Sequence, residues 1–558
     1  MAQTSDTSSR TGQQSRSTSR TSVASKPNAV KPWLARLGTS NWLWCVLVAA
    51  VALGFDLYRL GNPSIWFDEA FSVELARQPL PVIWHVIWGP EPNMELYYLF
   101  LHFWLGFTGL FGLLPTEFVV RLPSAIFAVL SSVMVFLLGR RYLGLAGGIL
   151  AAGLYTLNFL QLTYAQQTRA YSMQLLLICI AWYALFAILS RETHTRRWWA
   201  CFILVSTLAV YDHLFSALIL ASQVIAFACL YFLPNAWQAA ARRTWRAFLV
   251  SLVIIGVLII PMLLVSLHGP KTGWLPVPHF SDIYHLFLTI TTDSKIYLLL
   301  LFLCCAFAIG VALLPRLPGS TQLLLRIIFY QASDETSSSR SNQYLPIACA
   351  LLCWLLVPIL LSFVISQGSI RLFSSRYLVT ILPALFLLVG MAVAALRWRV
   401  VQAALIVGLL LIALRYVPIY YQSAQVEDWN TAVPWLEQRY QPGDGLVCYI
   451  AMECQLSTEY YLDAYPSGAH FPPDTPGLFS WERFGMANPN DGPDAAIDPQ
   501  KLAAFAAHHP RIFFIAGRIP DPATEAKVKA AQQWLDSHYH LIARIHTPTV
   551  TISLYATS

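Results

Sequence analysis

Ala247–Val265 reads AFLVSLVIIGVLIIPMLLV, nineteen residues without a charged side chain, and Arg242, Arg243 and Arg246 stand just before it. At about 1.5 Å rise per residue, a helix of that length reaches roughly 28 Å, the thickness of the hydrocarbon core of a bilayer. Apolar runs of this kind recur from about residue 41 to residue 418. One run makes an anchor, whereas a series makes a bundle. The composition agrees: the 558 residues are 56% hydrophobic and 12% charged, with a mean hydropathy of +0.54, where soluble domains carry about 25% charged residues.

The net charge of +7 sits mostly in short basic junctions between apolar runs. That placement is the positive-inside bias of membrane proteins, so no nucleic acid partner is expected. Residues 1–35 are rich in Ser, Thr, Gln and Arg and form an expected disordered cytoplasmic tail, with Arg10, Arg16, Arg20, Lys26 and Lys31 against one acid, Asp6. Further inward junctions are Arg140-Arg141, Arg191 to Arg197, Arg242 to Arg246, Arg316 to Arg340, and Arg397-Trp398-Arg399. Outward loops then fall at about 61–94, 161–171, 211–213, 267–293 and 367–376. Leu96–Phe111 does not fit this alternation, because Arg121–Leu138 must also run from the outer side to the inner one. The expected fold is an α-helical polytopic membrane protein over 36–418, with roughly eleven crossings (a range of about 11–13 helices) plus this peripheral helix. Residues 419–558 read as a small extracytoplasmic α/β domain. Its helices are at Asp428–Tyr440, Lys501–His508 and Ala523–His538, its strands at Gly445–Ile450, Arg511–Ala516 and within 541–556.

Most of the ten cysteines lie in apolar runs, where a thiol is a small hydrophobe. Cys349 and Cys353 share a helix face, but no third ligand completes a metal set; Cys448 and Cys454 form a candidate disulfide.

Chemistry concentrates in the outward loops. The first, 61–94, carries Ile65-Trp66-Phe67-Asp68-Glu69-Ala70-Phe71-Ser72 and ends Gly89-Pro90-Glu91-Pro92-Asn93-Met94. Carboxylates at a membrane boundary are costly and face a cavity, pair with a cation or serve function. The second contains Gln166-Gln167-Thr168-Arg169-Ala170-Tyr171; Arg169 suits a snorkelling anchor or a phosphate ligand. Asp212-His213 forms a polar tip, read as a hydrogen-bonded turn or a catalytic pair, and Arg371 and Arg376 place two cations on the outer face.

The order of these pieces resembles the GT-C membrane glycosyltransferases. Asp68-Glu69 follows the first span, and Glu91-Pro92 precedes Leu96-Tyr97-Tyr98. Arg121-Leu122-Pro123-Ser124-Ala125 opens a long helix that Gly139-Arg140-Arg141-Tyr142-Leu143-Gly144 closes. Arg169-Ala170-Tyr171 and then Arg376-Tyr377-Leu378 before Leu382-Pro383-Ala384 complete the series. Within that superfamily the similarity is to the protein O-mannosyltransferase and lipid A aminoarabinose transferase branch, glycosyltransferase family 39. The resemblance spans about 55–400 and implies transfer of a sugar from a polyprenyl-phosphate carrier, on the non-cytoplasmic face, to a protein, lipid or glycan acceptor. It implies Asp68 as the catalytic residue with Glu69 beside it. It also implies Glu91, Arg169, Tyr171, His213 and Arg376 in substrate binding. Two positions depart from the family pattern: Glu91 stands where relatives have a second acid or a His-Pro-Pro motif, and Asp212-His213-Leu214 where many show Thr-His-Tyr. A divalent cation held by Asp68, Glu91 and His213 is an alternative to arginine for balancing the phosphate. The competing readings are a secondary transporter, against which stands the lack of a half-to-half repeat, and a non-catalytic carrier-binding protein.

Overall fold

The computed structural model describes residues 41–91, 93–190, 195–266, 272–314, 335–449, 451–463, 468–484, 495–519 and 521–557, with backbone alone for 335–342, 451 and 495. The expected tail 1–35 and most of the Arg316–Arg340 junction lie outside them.

In chain order the first part comprises α1 (Asn41–Leu57), α2 (Phe67–Arg77), α3 (Leu80–Ile87), α4 (Glu95–Leu110), α5 (Glu117–Tyr142), α6 (Leu145–Thr156), α7 (Phe159–Ala165) and α8 (Tyr171–Leu189). It continues with α9 (Thr195–Asp212), α10 (Ser216–Phe232), α11 (Gln238–Ser266), α12 (Phe280–Ile290), α13 (Lys295–Leu313), α14 (Glu335–Ile365), α15 (Ser375–Ala394) and α16 (Arg399–Ser423). Seven of these (α5, α8, α11, α13, α14 from Gln343, α15 and α16) are long and apolar enough to cross a membrane, and α6 with α7, bent by 64° at the break between them, counts as an eighth if the pair is one span. Helices α1 and α10 are apolar but shorter, and α9 carries Arg196, Arg197 and Asp212 at its two ends.

Helix α4 resolves the misfit. Its Tyr97 hydroxyl bonds Ser124 (3.1 Å), its Trp104 indole bonds the Val119 carbonyl (2.9 Å), and its His102 ring meets the Ala76 carbonyl at the end of α2 (2.8 Å). The turn that follows accepts Tyr460 at the Pro115 carbonyl (2.8 Å) and Tyr461 at Glu117 (2.9 Å), both from the C-terminal region. Both ends of α4 therefore lie on the face that carries α2 and the C-terminal region. Only α5, at 26 residues, runs the full distance to Arg140-Arg141. Phe103, Phe107 and Leu110 remain exposed along α4, an apolar face suited to lipid.

Without water to drive helices together, close packing of small residues holds a membrane bundle. A Cβ on Gly148 of α6 would stand 2.7 Å from the Arg140 nitrogen of α5, and one on Gly390 of α15 would stand 2.5 Å from the Gly147 carbonyl. Helix α15 is the most buried of the spanning set.

Beyond α16 the chain forms α17 (Trp429–Glu437), β1 (Gly445–Cys448), α18 (Ala451–Leu462), α19 (Pro499–Ala506), β2 (Arg511–Gly517), α20 (Pro522–His538), β3 (His540–His546) and β4 (Val550–Ala556). The sheet order is β1-β2-β4-β3, with β1 parallel to β2 and the other pairs antiparallel. β1 and β2 are continuously buried, whereas β3 alternates exposed and half-buried residues as an edge strand does. A Cys448–Cys454 disulfide (Cα–Cα 5.7 Å) ties β1 to α18, a helix the sequence reading did not anticipate. Helix α12 likewise replaces part of the expected loop 267–293, started by a capping box between His279 and Asp282.

Candidate active site

Helix α2 begins at Phe67, and Asp68 and Glu69 fall in its first turn, where carboxylates complement the helix dipole. Neighbours in sequence, they point into different surroundings. Glu69 is fully buried and takes a bidentate bond from Arg121 of α5 (2.8 and 2.7 Å) and a third from the Thr168 amide (2.7 Å). Arg121 also bonds the carbonyls of Leu60, Pro63 and Ser64, so this pair clamps the loop before α2 onto α5. The expectation that Glu69 shares the chemistry with Asp68 meets a carboxylate already fully engaged.

Asp68 keeps 16% of its side chain accessible and is ringed by cations. Arg376, at the start of α15, reaches Oδ2 at 3.2 Å, and Arg518, just after β2, faces Oδ1 at 3.9 Å. Arg169 donates to the Asp68 carbonyl (2.9 Å) and to Ser72 Oγ (3.0 Å), and its Nε has no hydrogen-bond partner among the described residues. Arg376 lies 5.1 Å over the ring of Trp274, which is 62% exposed. Arg371, the other outward cation, is engaged by the Ser366 carbonyl.

His213 is buried between Tyr171 (5.5 Å) and Tyr377 (5.0 Å). Burial, with Arg169 and Arg376 adding repulsion, pushes its pKa down to about 3. The Phe215 amide donates to its Nδ1 (3.2 Å), which puts the proton of the neutral ring on Nε2, an atom with no hydrogen-bond partner among the described residues. Asn93 accepts from the Leu214 amide (3.3 Å), bringing the loop of Glu91 against this turn, and Glu91 lies within electrostatic range of Arg169. The structure thus gathers Asp68, Glu91, Arg169, Tyr171, His213 and Arg376 on one face. It does not bring Asp68, Glu91 and His213 close enough to share an ion. Among the described residues, the one set of three potential ligands within 4.8 Å is Cys229, Cys349 and Cys353, so α10 supplies the third thiol that spacing within α14 could not reveal.

Arg518, Glu427 and Glu453 were not singled out from the sequence. Arg518 stacks 4.5 Å over Phe67 and 5.9 Å over Trp66, and its Nε stands 3.8 Å from Glu427 and 3.4 Å from Glu453. Glu427 in turn accepts from the Phe67 amide (3.3 Å) and the Trp429 indole (2.6 Å). Phe71 of α2 packs on Trp481 and Phe484 (5.2 and 5.9 Å). The C-terminal region thereby covers the Asp68 side of α2.

Residues 98–265 match the family of dolichyl-phosphate-mannose-protein mannosyltransferases. Among solved structures, the apo form of ArnT from Cupriavidus metallidurans is similar at a TM-score of 0.52 and 14% identity, over 92% of this chain and 98% of that one. The same protein bound to undecaprenyl phosphate gives 0.49 and 15% over the same shares. The archaeal oligosaccharyltransferase AglB from Archaeoglobus fulgidus, in complex with an inhibitory peptide and a dolichol-phosphate, gives 0.45 and 14%, over 92% of this chain and 74% of that one. No curated protein matches the chain in sequence. At such identities the structural likeness is one of fold. In motif order, over residues 98–265 and in fold, this integral membrane protein is similar to the GT-C glycosyltransferases of the protein O-mannosyltransferase and lipid A aminoarabinose transferase branch.

Proposed function

We propose that the chain is an inverting, hexosyltransferase-like glycosyltransferase. It takes a sugar from a polyprenyl-phosphate carrier and places it on an acceptor at the non-cytoplasmic face. The observation that carries this reading is Asp68: a partly accessible carboxylate at the head of the bundle, set between Arg376 and Arg518.

Transfer from a lipid phosphate to a hydroxyl needs a base for the acceptor proton and cations for the departing phosphate. Asp68 supplies the first, and positioned base catalysis contributes roughly 10²–10⁴-fold. Arg376 and Arg169 supply the second by stabilising charge that develops as the anomeric bond breaks. A phosphate leaves as a stable anion, so the mechanism needs no general acid. One displacement inverts the anomeric carbon. Asp68 is the counter-ion of Arg376 (3.2 Å); a donor phosphate would take over that cation and release Asp68 to accept a proton. Trp274, exposed beneath Arg376, marks the flank through which a lipid-borne donor would enter. His213, kept neutral, offers an Nε2–H to the donor instead of a second positive charge. The resting role of Glu69 is positional: with Arg121 it fixes the turn that aims Asp68.

The test is Asp68→Asn, which keeps the shape and removes the base. Transfer of label from lipid-linked sugars into envelope material should fall about 10²–10⁴-fold, with binding of undecaprenyl phosphate to the purified variant retained. Transfer at the wild-type rate would refute the assignment.

A further inference from the structure

The two cations flanking Asp68 come from different parts of the chain, and their surroundings differ. Arg376 belongs to α15 and rests on the exposed Trp274, facing lipid. Arg518 belongs to the C-terminal region, where Gly517 ends β2, and faces Asp68 from that side. Its backbone has a φ of 54°, uncommon for a side-chain-bearing residue, and its carbonyl is held there by the Tyr449 hydroxyl (2.6 Å).

That conformation does not produce a tight ion pair. The acids around Arg518 stand at 3.4 Å (Glu453), 3.8 Å (Glu427) and 3.9 Å (Asp68), beyond good hydrogen-bond length. Its Nη1 is buried and has no hydrogen-bond partner among the described residues, and the same is true of Trp66 Nε1 beside it. Buried donors are normally satisfied. A residue serving only to latch the C-terminal region onto α2 would close these gaps. Here a guanidinium is fixed over two aromatic rings with a donor left unsatisfied beside the proposed catalytic carboxylate.

We propose that Arg518, with Trp66 and Phe67, forms the acceptor subsite, recognising an oxygen-rich, sugar-like acceptor and presenting its hydroxyl to Asp68 Oδ1. The inference rests on the transferase reading and divides the site in two: the donor phosphate on the Arg376 side, the acceptor on the Arg518 side. The acceptor oxygen bonds to the anomeric carbon, and its proton passes to Asp68. The bond from that carbon to the phosphate oxygen breaks, its electron pair leaving with the phosphate. Arg518 holds a neighbouring acceptor oxygen throughout. The half-buried Trp66 ring suits the apolar face of a pyranose, Phe67 is buried beneath Arg518 and steadies it, and the guanidinium suits the sugar's hydroxyls or an attached anion.

The experiment uses the purified full-length chain in detergent, labelled lipid-linked sugars extracted from host membranes, and a delipidated envelope glycan fraction as titrated acceptor. Arg518→Gln should raise the half-saturating amount of acceptor about tenfold or more, the loss of one well-made polar contact. Binding of undecaprenyl phosphate, and the melting temperature, should stay near wild type. Arg518→Lys should recover part of the loss by restoring the charge without the flat fork. An unchanged acceptor dependence in Arg518→Gln overturns the subsite. So does an equal loss of undecaprenyl phosphate binding, which would put Arg518 on the donor side. A lowered melting temperature in both Arg518 variants, with acceptor dependence unmoved, leaves only a latch and overturns it too. A wild-type chain that transfers no sugar would instead refute the transferase reading itself.

Discussion

Two sides of one helix turn treat adjacent carboxylates in opposite ways. On the inner side of α2, Glu69 is sealed against α5 and has three short bonds. On the side facing the C-terminal region, Asp68 is partly accessible and its two cations approach no closer than 3.2 Å. The first arrangement is finished and rigid, with nothing left to offer a substrate. The second is loose, and under the proposed function its partners exchange for a phosphate or a hydroxyl. Adjacent acids in a sequence therefore do not imply the same surroundings: one is satisfied within the fold, and the other is left accessible.

The strongest way to break this contrast is to unpair Glu69. Removing one partner of a buried ion pair leaves an uncompensated charge and costs about 3–5 kcal/mol. Arg121→Leu is therefore expected to lower the melting temperature sharply and to reduce the yield of folded protein from membranes. Replacing both partners with apolar residues, Glu69→Leu with Arg121→Leu, should restore much of the stability, since a buried pair contributes little net over well-packed apolar groups. If the double variant melts as low as the single one, the carbonyl bonds of Arg121 to the 60–64 loop matter more than the pair.

The same contrast explains what could be read in advance. The bundle was legible because hydrocarbon demands long uncharged runs, and Ala247–Val265 meets that demand without any tertiary information. Asp68, Arg169 and Arg376 were singled out because a charge at a membrane boundary is expensive and stands out. The pairing of Glu69 with Arg121 was not legible because its partner lies on another helix, and nothing local distinguishes a sealed carboxylate from an open one. Arg518 was invisible for the same reason: it sits in Gly-Arg-Ile after an ordinary buried strand, and only the contact of the C-terminal region with α2 places it beside Phe67 and Asp68. Helix α18 was missed because Met452-Glu453-Cys454-Gln455 mixes polar and apolar residues without a clear period.

Glu427 offers a milder test, on the open side of α2. Burial is the main reason its pKa rises from 4.5 to about 7, opposed by its bonds from Trp429 and Phe67 and by Arg518. Between those values the folded state holds a proton that the unfolded chain has lost, so stability falls as pH rises through this window and levels off above it. The slope is at most about 1.4 kcal/mol for each pH unit. Glu427→Gln keeps the bonds to the oxygen and should flatten the curve of melting temperature between pH 5 and pH 7. A slope that survives the substitution would assign the titration to another group, such as Glu453, whose pKa burial also raises.

The smallest effect expected separates charge from shape at Arg376. Lysine keeps the charge beside Asp68 but loses the planar fork that binds two phosphate oxygens at once and lies flat on Trp274. Arg376→Lys should therefore weaken undecaprenyl phosphate binding by roughly tenfold, about 1.4 kcal/mol, without removing it. Acceptor half-saturation should not move, because Arg376 meets Asp68 through Oδ2 while Arg518 faces Oδ1. A shift in acceptor dependence instead would mean that the two cations hold one ligand between them. The division of Asp68 into a donor side and an acceptor side would then give way to a single shared pocket.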